Sequence, residues 1–332
     1  MMKKTLVALA AVAATGGAMA QAVMTGAIGF GYASTTTSAD VTASGVGMDD
    51  GSINFAISEN IEGVGKLSAK LGMGTYGNGS TLFANDSSIS VAGASGASMT
   101  LGTTQGASYL TQGLASAGTA YQWSLAGKLF SSRPVNDSIS IKVPVAAGTS
   151  ISLSHTEGNS NSAVGTTTAT GTGYGVGAGA SGADATAEQQ RYNTLSVDYA
   201  AGALAVNAGY RSFDNAATDS NSHATTRTRA SFSYDLGAAK IGAGLEQQTY
   251  AYGNTRTDSL IGVNVPMGAL NLGAQIGNRG TTKDSTTTSY SGYLLVANYS
   301  LSKQTYLVAN YYSYQTSANN ATGYGMFLYK GF

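Results

Sequence analysis

The sequence predicts an all-β fold, a 16-stranded antiparallel transmembrane β-barrel. The first observation behind this prediction is a recurring segment of about ten residues in which apolar and polar side chains alternate, because a period of two indicates a strand. The second is a composition with 45 glycines and only 10% charged residues, where an ordinary soluble domain has roughly 25%. The third is that short and long connections alternate along the chain, as they do in barrels that cross a membrane.

Alternation defines each strand. In residues 66–73, KLSAKLGM, the leucines and the methionine fall on one face and both lysines on the other. In residues 227–236, RTRASFSYDL, both arginines share a face with two serines and the aspartate. Within hydrocarbon every backbone N–H and C=O needs an internal partner, and a closed barrel supplies one for each. The sixteen predicted strands are residues 23–32, 52–59, 64–74, 86–93, 97–103, 137–144, 148–156, 191–200, 202–213, 225–236, 238–250, 255–266, 268–279, 288–300, 304–315 and 321–332.

The connections between these segments fall into two sets. The short ones are 60–63, 93–96, 144–148, 200–202, 237, 266–268 and 300–303, and the long ones include 33–51, 75–85, 104–136, 157–190, 214–224 and 280–287. Segment 104–136 differs from the others because it is rich in large apolar side chains, which an exposed loop tip would not hold. We therefore expect this segment to fold back against the barrel. Its large apolar residues are Tyr109, Leu110, Leu114, Tyr121, Trp123, Leu125, Leu129 and Phe130.

The first twenty residues have the pattern of a secretory signal peptide. Lys3 and Lys4 supply the positive start, residues 6–14 are apolar, and Ala18 and Ala20 frame a small-residue cleavage site. The alternative is a membrane-spanning helix, but the apolar stretch is shorter than the ~20 residues that such a helix needs. The sequence therefore predicts a signal peptide at 1–20 and a barrel domain at 21–332.

The sequence shows no constellation typical of an enzyme. Cysteine is absent, and His155 and His223 are the only histidines, so neither a metal site nor a Ser–His–Asp arrangement is indicated. The glycine-rich stretch 173–177 lacks the strand-to-helix context of a dinucleotide fingerprint. Basic and acidic residues balance at 17 each, which argues against nucleic-acid binding. We therefore expect no enzymatic activity, no metal, no cofactor and no nucleic-acid partner.

Several stretches resemble a known family. Residues 58–69 (SENIEGVGKLSA) resemble its turn after the second strand, and residues 88–105 resemble its following hairpin. Residues 133–144, beginning Arg-Pro-Val-Asn, resemble the entry to the strand after the third loop, and 299–305 (YSLSKQT) resemble a later turn. The chain ends in GYGMFLYKGF, which is similar to the family's terminal strand with its carboxyl-terminal Phe. The sequence thus resembles the Gram-negative general porins over 21–332, most closely those of beta-proteobacteria.

The resemblance implies a function and a set of partners. It implies a passive diffusion channel in the outer membrane of a Gram-negative bacterium, a homotrimer in which the third loop, 104–136, folds into each lumen as a constriction. Ions and small hydrophilic solutes would pass down their gradients, surrounded by outer-membrane lipid. The terminal strand would be read by the barrel assembly machinery, with periplasmic chaperones as further partners. The residues of this assembly signal are Tyr324, Met326, Leu328 and Phe332.

Charged residues on the polar face of the strands are the candidate pore residues, because in a barrel this face lines the lumen. We expect a weak anion preference, with Arg227 and Arg229 near the mouth and Lys66, Lys70 and Lys128 deeper. The alternative is that these charges only keep the lumen wet and pair with neighbouring acids. The candidates are Lys66, Lys70, Lys142, Arg211, Arg227, Arg229, Arg256 and Glu246 on strands, with Lys128 and Arg133 in the third loop. Arg279, Asp198, Asp235 and Asp258 share the same face.

The sequence also departs from the family pattern. The hairpin that usually ends in arginine here ends Leu101-Gly102-Thr103-Thr104, and segment 104–136 contains no Asp or Glu. The transverse field at the constriction should therefore be weak. Two alternatives stay open: a solute-specific porin, and a secreted Gly/Thr-rich β-solenoid that acts as a surface protein or adhesin, which would show a fixed repeat period.

Overall fold

The computed structural model describes residues 21–37, 39–74, 83–104, 108–119, 124–131, 135–157, 191–214, 224–316 and 320–332. The predicted signal peptide at 1–20, Arg133, His223, Tyr121 and Trp123 lie outside the described residues. Within those residues, no helix is long and apolar enough to cross a membrane. The helical pieces in this part of the chain are two 3-10 turns, Leu114–Ser116 and Ala251–Gly253.

The described residues form sixteen strands that close into one antiparallel barrel. Each strand pairs with its neighbours in sequence, and β1 also pairs with β16, so the sheet has no free edge. The prediction of a 16-stranded antiparallel barrel is confirmed. The strands are β1 (Gln21–Thr37), β2 (Thr42–Ile61), β3 (Gly65–Gly74), β4 (Phe83–Ala92), β5 (Ser98–Thr104), β6 (Asn136–Ala146), β7 (Thr149–Thr156), β8 (Tyr192–Ala201), β9 (Leu204–Phe213), β10 (Ala224–Asp235), β11 (Lys240–Tyr250), β12 (Thr255–Met267), β13 (Leu270–Lys283), β14 (Thr286–Ser302), β15 (Thr305–Gln315) and β16 (Asn320–Gly331).

The carboxyl-terminal residue takes part in closing the barrel. Phe332 and Gly26 exchange two backbone hydrogen bonds, each 3.0 Å long. From there the pairing of β1 with β16 runs in register from Ala27 opposite Gly331 to Thr37 opposite Ala321. The first and last strands therefore meet in one continuous ladder.

Two connections expected to be long loops are largely strand, so these predictions were wrong. In segment 33–51, β1 and β2 extend toward each other and stay paired as far as Thr36 opposite Thr42. In segment 280–287, β13 and β14 extend to a tight turn at Asp284 and Ser285, both with positive φ. These extensions are rich in Thr and Ser, and residues 39–46 and 283–289 at their tips are exposed on both faces. Such residues suit strands but give no apolar alternation there.

Alternation sorts the side chains between the two faces of the barrel. Large apolar residues such as Leu101, Ile261 and Ile276 are exposed on the outer face, where lipid surrounds a membrane barrel. The inner face is polar on most strands. On β14–β16, however, the inner face is also apolar, with Leu294, Val308 and Phe327 buried. These residues belong to one buried cluster with Leu125, Leu129 and Phe130 of the third loop.

Candidate functional site

The described parts of the third loop, residues 108–119 and 124–131, lie against the inner wall of β10–β13. Glycines on this wall allow the loop backbone to come close. A Cβ on Gly262 would stand 2.5 Å from the carbonyl oxygen of Ala115, and a Cβ on Gly277 would stand 2.7 Å from the Phe130 ring. Ordinary contact begins at 3.4 Å, so only glycine fits at these positions. The expectation that this apolar loop folds inward is confirmed.

Polar contacts anchor the same part of the loop. The buried amide of Gln275 on β13 donates to the carbonyl of Thr111 at 3.2 Å and to the hydroxyl of Thr119 at 2.8 Å. The hydroxyl of Tyr109 donates to the carbonyl of Asn207 on β9 at 3.2 Å. Burial raises the pKa of the Tyr109 phenol, so it remains a hydrogen-bond donor at neutral pH.

The far end of the loop packs on the adjoining part of the wall, β13–β15. Leu125, Leu129 and Phe130 join a buried apolar cluster with Leu294 and Tyr312. Lys128 extends from this end, where its Nζ donates to the carbonyl of Ser124 at 3.1 Å and lies 4.9 Å from the centre of the Tyr312 ring. Burial lowers the pKa of Lys128, and the charge of Asp49 opposes part of that shift.

The charged candidates on β9–β13 form a cluster that we call the arginine ladder. It contains Arg211, Arg227, Arg229, Arg256 and Arg279. Cross-strand pairs place these residues in two adjacent rows, and directly paired residues point to the same face of a sheet. The first row is Arg211–Arg227–Gln248–Arg256, and the second is Arg229–Glu246–Asp258–Arg279.

Two carboxylates lie among the five guanidinium groups. Glu246 lies 2.7 Å from Nε of Arg229 and 3.5 Å from Nε of Arg227. Asp258 lies 3.1 Å from Nε of Arg256 and receives two hydrogen bonds from Arg279, at 2.9 and 3.0 Å. Five cations and two anions leave the ladder with a formal charge of +3 (five minus two).

Aromatic side chains contact the arginines in the first row of the ladder. The guanidinium carbon of Arg211 lies 3.7 Å from the centre of the Tyr192 ring, and that of Arg227 lies 5.4 Å from Phe213. Nη1 of Arg256 donates to the hydroxyl of Tyr250 at 3.0 Å. Planar stacking and fixed hydrogen bonds favour arginine over lysine at such positions. The arginine side chains of the first row are therefore fixed in position.

The ladder also touches the third loop. The guanidinium carbon of Arg229 lies 4.8 Å from the centre of the Tyr109 ring, and that of Arg279 lies 5.9 Å from Phe130. Arg229 lies beside the inward-folded loop, and Lys66 lies next to the turn between β2 and β3. Alternation indicates the face of a residue but not its height in the barrel, so the relative depths of Arg229 and Lys66 in the pore stay a prediction.

The other predicted residues line the opposite wall. Lys66 and Lys70 are exposed on the inner face of β3, and Lys142 on β6 lies 3.4 Å from a carboxylate oxygen of Asp198. Sequence reasoning missed Gln248, Gln275 and the rings that hold the ladder. The two glutamines lie on the polar face of their strands, so the same alternation could have found them.

His155 takes part in a small polar cluster at the end of β7. Its Nδ1 lies 2.8 Å from Oδ1 of Asn193, and its Nε2 lies 3.2 Å from Oε1 of Glu157. Burial raises the pKa of Glu157, but hydrogen bonds from His155 and Arg191 outweigh it and leave that pKa below its ordinary value. Among the described residues, no group of three or more His, Cys, Asp or Glu side chains could hold a metal ion.

A closed barrel with an apolar outer face and a charged inner face defines a membrane-spanning β-barrel with a polar lumen. A sequence profile described as Gram-negative porin matches residues 5–320. The chain belongs to the Gram-negative porin family, and its location is the outer membrane. The closed barrel and this family exclude the β-solenoid alternative. No curated protein sequence matches the chain.

Solved structures with a similar fold include two porins and an outer membrane protein. The anion-selective porin from Comamonas acidovorans aligns with a TM-score of 0.67 at 16% identity, covering 95% of this chain and 100% of that one. A loop-deletion mutant of OmpT from Vibrio cholerae aligns with a TM-score of 0.66 at 12% identity, covering 94% and 99%. A mutant of the Rhodopseudomonas blastica porin aligns with a TM-score of 0.62 at 11% identity, covering 94% and 100%. At these identities the similarity concerns the fold.

Proposed function

We propose that this porin is a passive diffusion channel for ions and small hydrophilic solutes, with size and charge filtering at the third loop and a weak anion preference. The observation that carries the proposal is the arginine ladder, five arginines and two carboxylates beside a third loop without Asp or Glu. A wall of one sign biases which ions enter a pore. The preference is weak because Glu246 and Asp258 neutralise part of the ladder.

The channel does no chemistry. Its inner wall supplies fixed charges and hydroxyl groups, and the inward loop sets the width through which a solute passes. No catalytic arrangement or cofactor is needed for this mechanism, so we propose that the protein is not an enzyme. A solute-specific porin remains the alternative within the channel class, and it would show saturable current block by its own solute.

We propose that the channel is a homotrimer and that its last strand is the signal read by the barrel assembly machinery and periplasmic chaperones. Tyr324, Met326 and Leu328 alternate on the exposed outer face of β16, and Phe332 completes the ladder with β1. In the single chain this outer face of β16 is exposed, which supports the proposal that the assembly machinery recognises it. Replacing Phe332 with alanine should reduce the yield of heat-modifiable barrel in the outer membrane without changing the amount of protein exported.

The channel function is tested with purified mature protein in a planar lipid bilayer under symmetric salt. We expect current steps that arrive in triplets, and swelling of proteoliposomes in small sugars but not in large ones. Neutralising three lumenal lysines, as Lys66→Gln, Lys70→Gln and Lys142→Gln, should keep the steps and reduce anion preference. Protein that is heat-modifiable and inserted, yet gives no steps, would contradict the proposal.

A further inference from the structure

A row of hydroxyl side chains crosses the inner wall opposite the apolar part of the third loop. We call it the hydroxyl lane. Each member is the direct cross-strand partner of the next, so all six point to the same face. The lane consists of Ser68 on β3, Ser90 on β4, Thr100 on β5, Ser140 on β6, Ser154 on β7 and Thr194 on β8.

The lane faces the lumen. Its residues are half-buried, while the residues next to them on the same strands, such as Ile89, Leu101 and Leu153, are exposed on the outer face. The inner wall on β14 and β15 is different, because the third loop covers it and buries Leu294 and Val308. Among the described strands, open lumen therefore adjoins β3–β8.

Positive charge stands at both ends of the lane. Lys66 and Lys70 flank Ser68 on the inner face of β3. At the other end, Thr194 pairs with Arg211, and Nε of Arg211 donates to the Thr194 hydroxyl at 3.1 Å. A neighbouring row runs from Lys142 through Ser152 and Ser196 toward Arg229. Hydroxyl donors thus connect the lumenal lysines to the arginine ladder.

We propose that the hydroxyl lane is the solute path of this porin and that it favours small oxyanions, such as carboxylates, over halides. This inference rests on the channel function proposed above and adds a substrate class to it. Adjacent strands lie about 4.8 Å apart, so an anion with two or more oxygen atoms can accept bonds from successive hydroxyls as it moves. Charge alone does not separate acetate from chloride, whereas hydrogen-bond geometry does.

The position of the path can be tested by cysteine accessibility, because the chain contains no cysteine. Ser140→Cys and Ser154→Cys place thiols on the lane, and Val296→Cys places one on the wall that the loop covers. An anionic methanethiosulfonate reagent should block current quickly through the two lane variants and leave Val296→Cys conducting. If the reagent blocks Val296→Cys at the same rate as the lane variants, the hydroxyl lane is not the solute path.

The preference for oxyanions is tested by the zero-current potential between potassium acetate and potassium chloride. The triple variant Ser140→Ala, Ser154→Ala and Thr100→Val should lower the acetate-to-chloride permeability ratio roughly threefold, because hydrogen bonds to charged groups are lost in a partly wet lumen. Its potassium-to-chloride ratio should stay at the wild-type value. The matched control is Ser212→Ala, which removes an exposed hydroxyl from the outer face of β9.

Each result separates this inference from the proposed function. An unchanged acetate-to-chloride ratio in the triple variant, with wild-type anion preference intact, overturns the hydroxyl lane and leaves the anion-preferring channel standing. If the wild-type channel shows no anion preference, the preference proposed above is wrong. The cysteine variants then still show which part of the inner wall the solutes pass. Heat-modifiable migration shows that each variant is folded, and Ser154→Ala alone serves if the triple variant does not fold.

Discussion

Replacing Gly262 with alanine should displace the third loop from the inner wall of the barrel. The new Cβ would stand 2.5 Å from the carbonyl oxygen of Ala115 and 2.6 Å from the carbonyl carbon of Ser116. Ordinary contact begins at 3.4 Å, so the loop backbone must move 0.9 Å (3.4 minus 2.5) toward the lumen or leave the wall. Such overpacking costs about 1–3 kcal/mol, which changes the docking equilibrium roughly fivefold to 150-fold at 1.4 kcal/mol per factor of ten.

Single-channel recording in a planar bilayer measures this effect. We expect Gly262→Ala to have a lower open conductance and a noisier current than the wild type. The matched control is Gly209→Ala on the inner face of β9, where a Cβ would meet its nearest neighbour at 3.5 Å and fit without displacement. A folded Gly262→Ala channel with wild-type conductance and noise would refute the docking of the loop on β12.

Three further predictions concern single side chains. Gln275→Leu removes the hydrogen bonds to Thr119 and should add current noise without lowering the yield of folded barrel. A Gln275→Leu channel with wild-type noise would show that the amide does not keep the third loop in place. Because burial lowers the pKa of Lys128 below its ordinary 10.5, its charge and part of the anion preference should disappear in alkali below pH 10.5, and Lys128→Gln should abolish this titration. In the same window the unfolded chain binds more protons than the folded one, so the docked loop should become more stable as pH rises. Glu246→Gln breaks buried ion pairs, which costs about 3–5 kcal/mol, and should lower the temperature of heat modification while strengthening anion preference.

The strands could be predicted because a membrane barrel imposes a local pattern. Each membrane-spanning segment must alternate between lipid and lumen, and this period is visible in segments such as 66–73 and 227–236. The pattern fades above the membrane, where both faces of a strand are wet. This is why the extensions of β1, β2, β13 and β14 were interpreted as loops.

The interior was predictable only in part. Alternation correctly placed Arg227, Arg229 and Glu246 on the polar face, but their pairing depends on register between neighbouring strands. The apolar inner wall of β14–β16 was missed because Leu294 and Val308 pack against a loop more than 150 residues earlier in the chain. Such a contact leaves no periodic pattern in the sequence. The close approach of the loop backbone to Gly262 leaves none either.

The sign of the zero-current potential in a potassium chloride gradient tests the central claim most directly. The measurement uses purified wild-type protein in a planar bilayer of neutral lipid, so that the charges that matter are those of the protein. The arginine ladder, with its formal charge of +3, and the lumenal lysines predict a small potential of the sign that anion flow produces. A potential of the opposite sign, from protein that shows stable channel steps, would contradict a lumen governed by these basic residues.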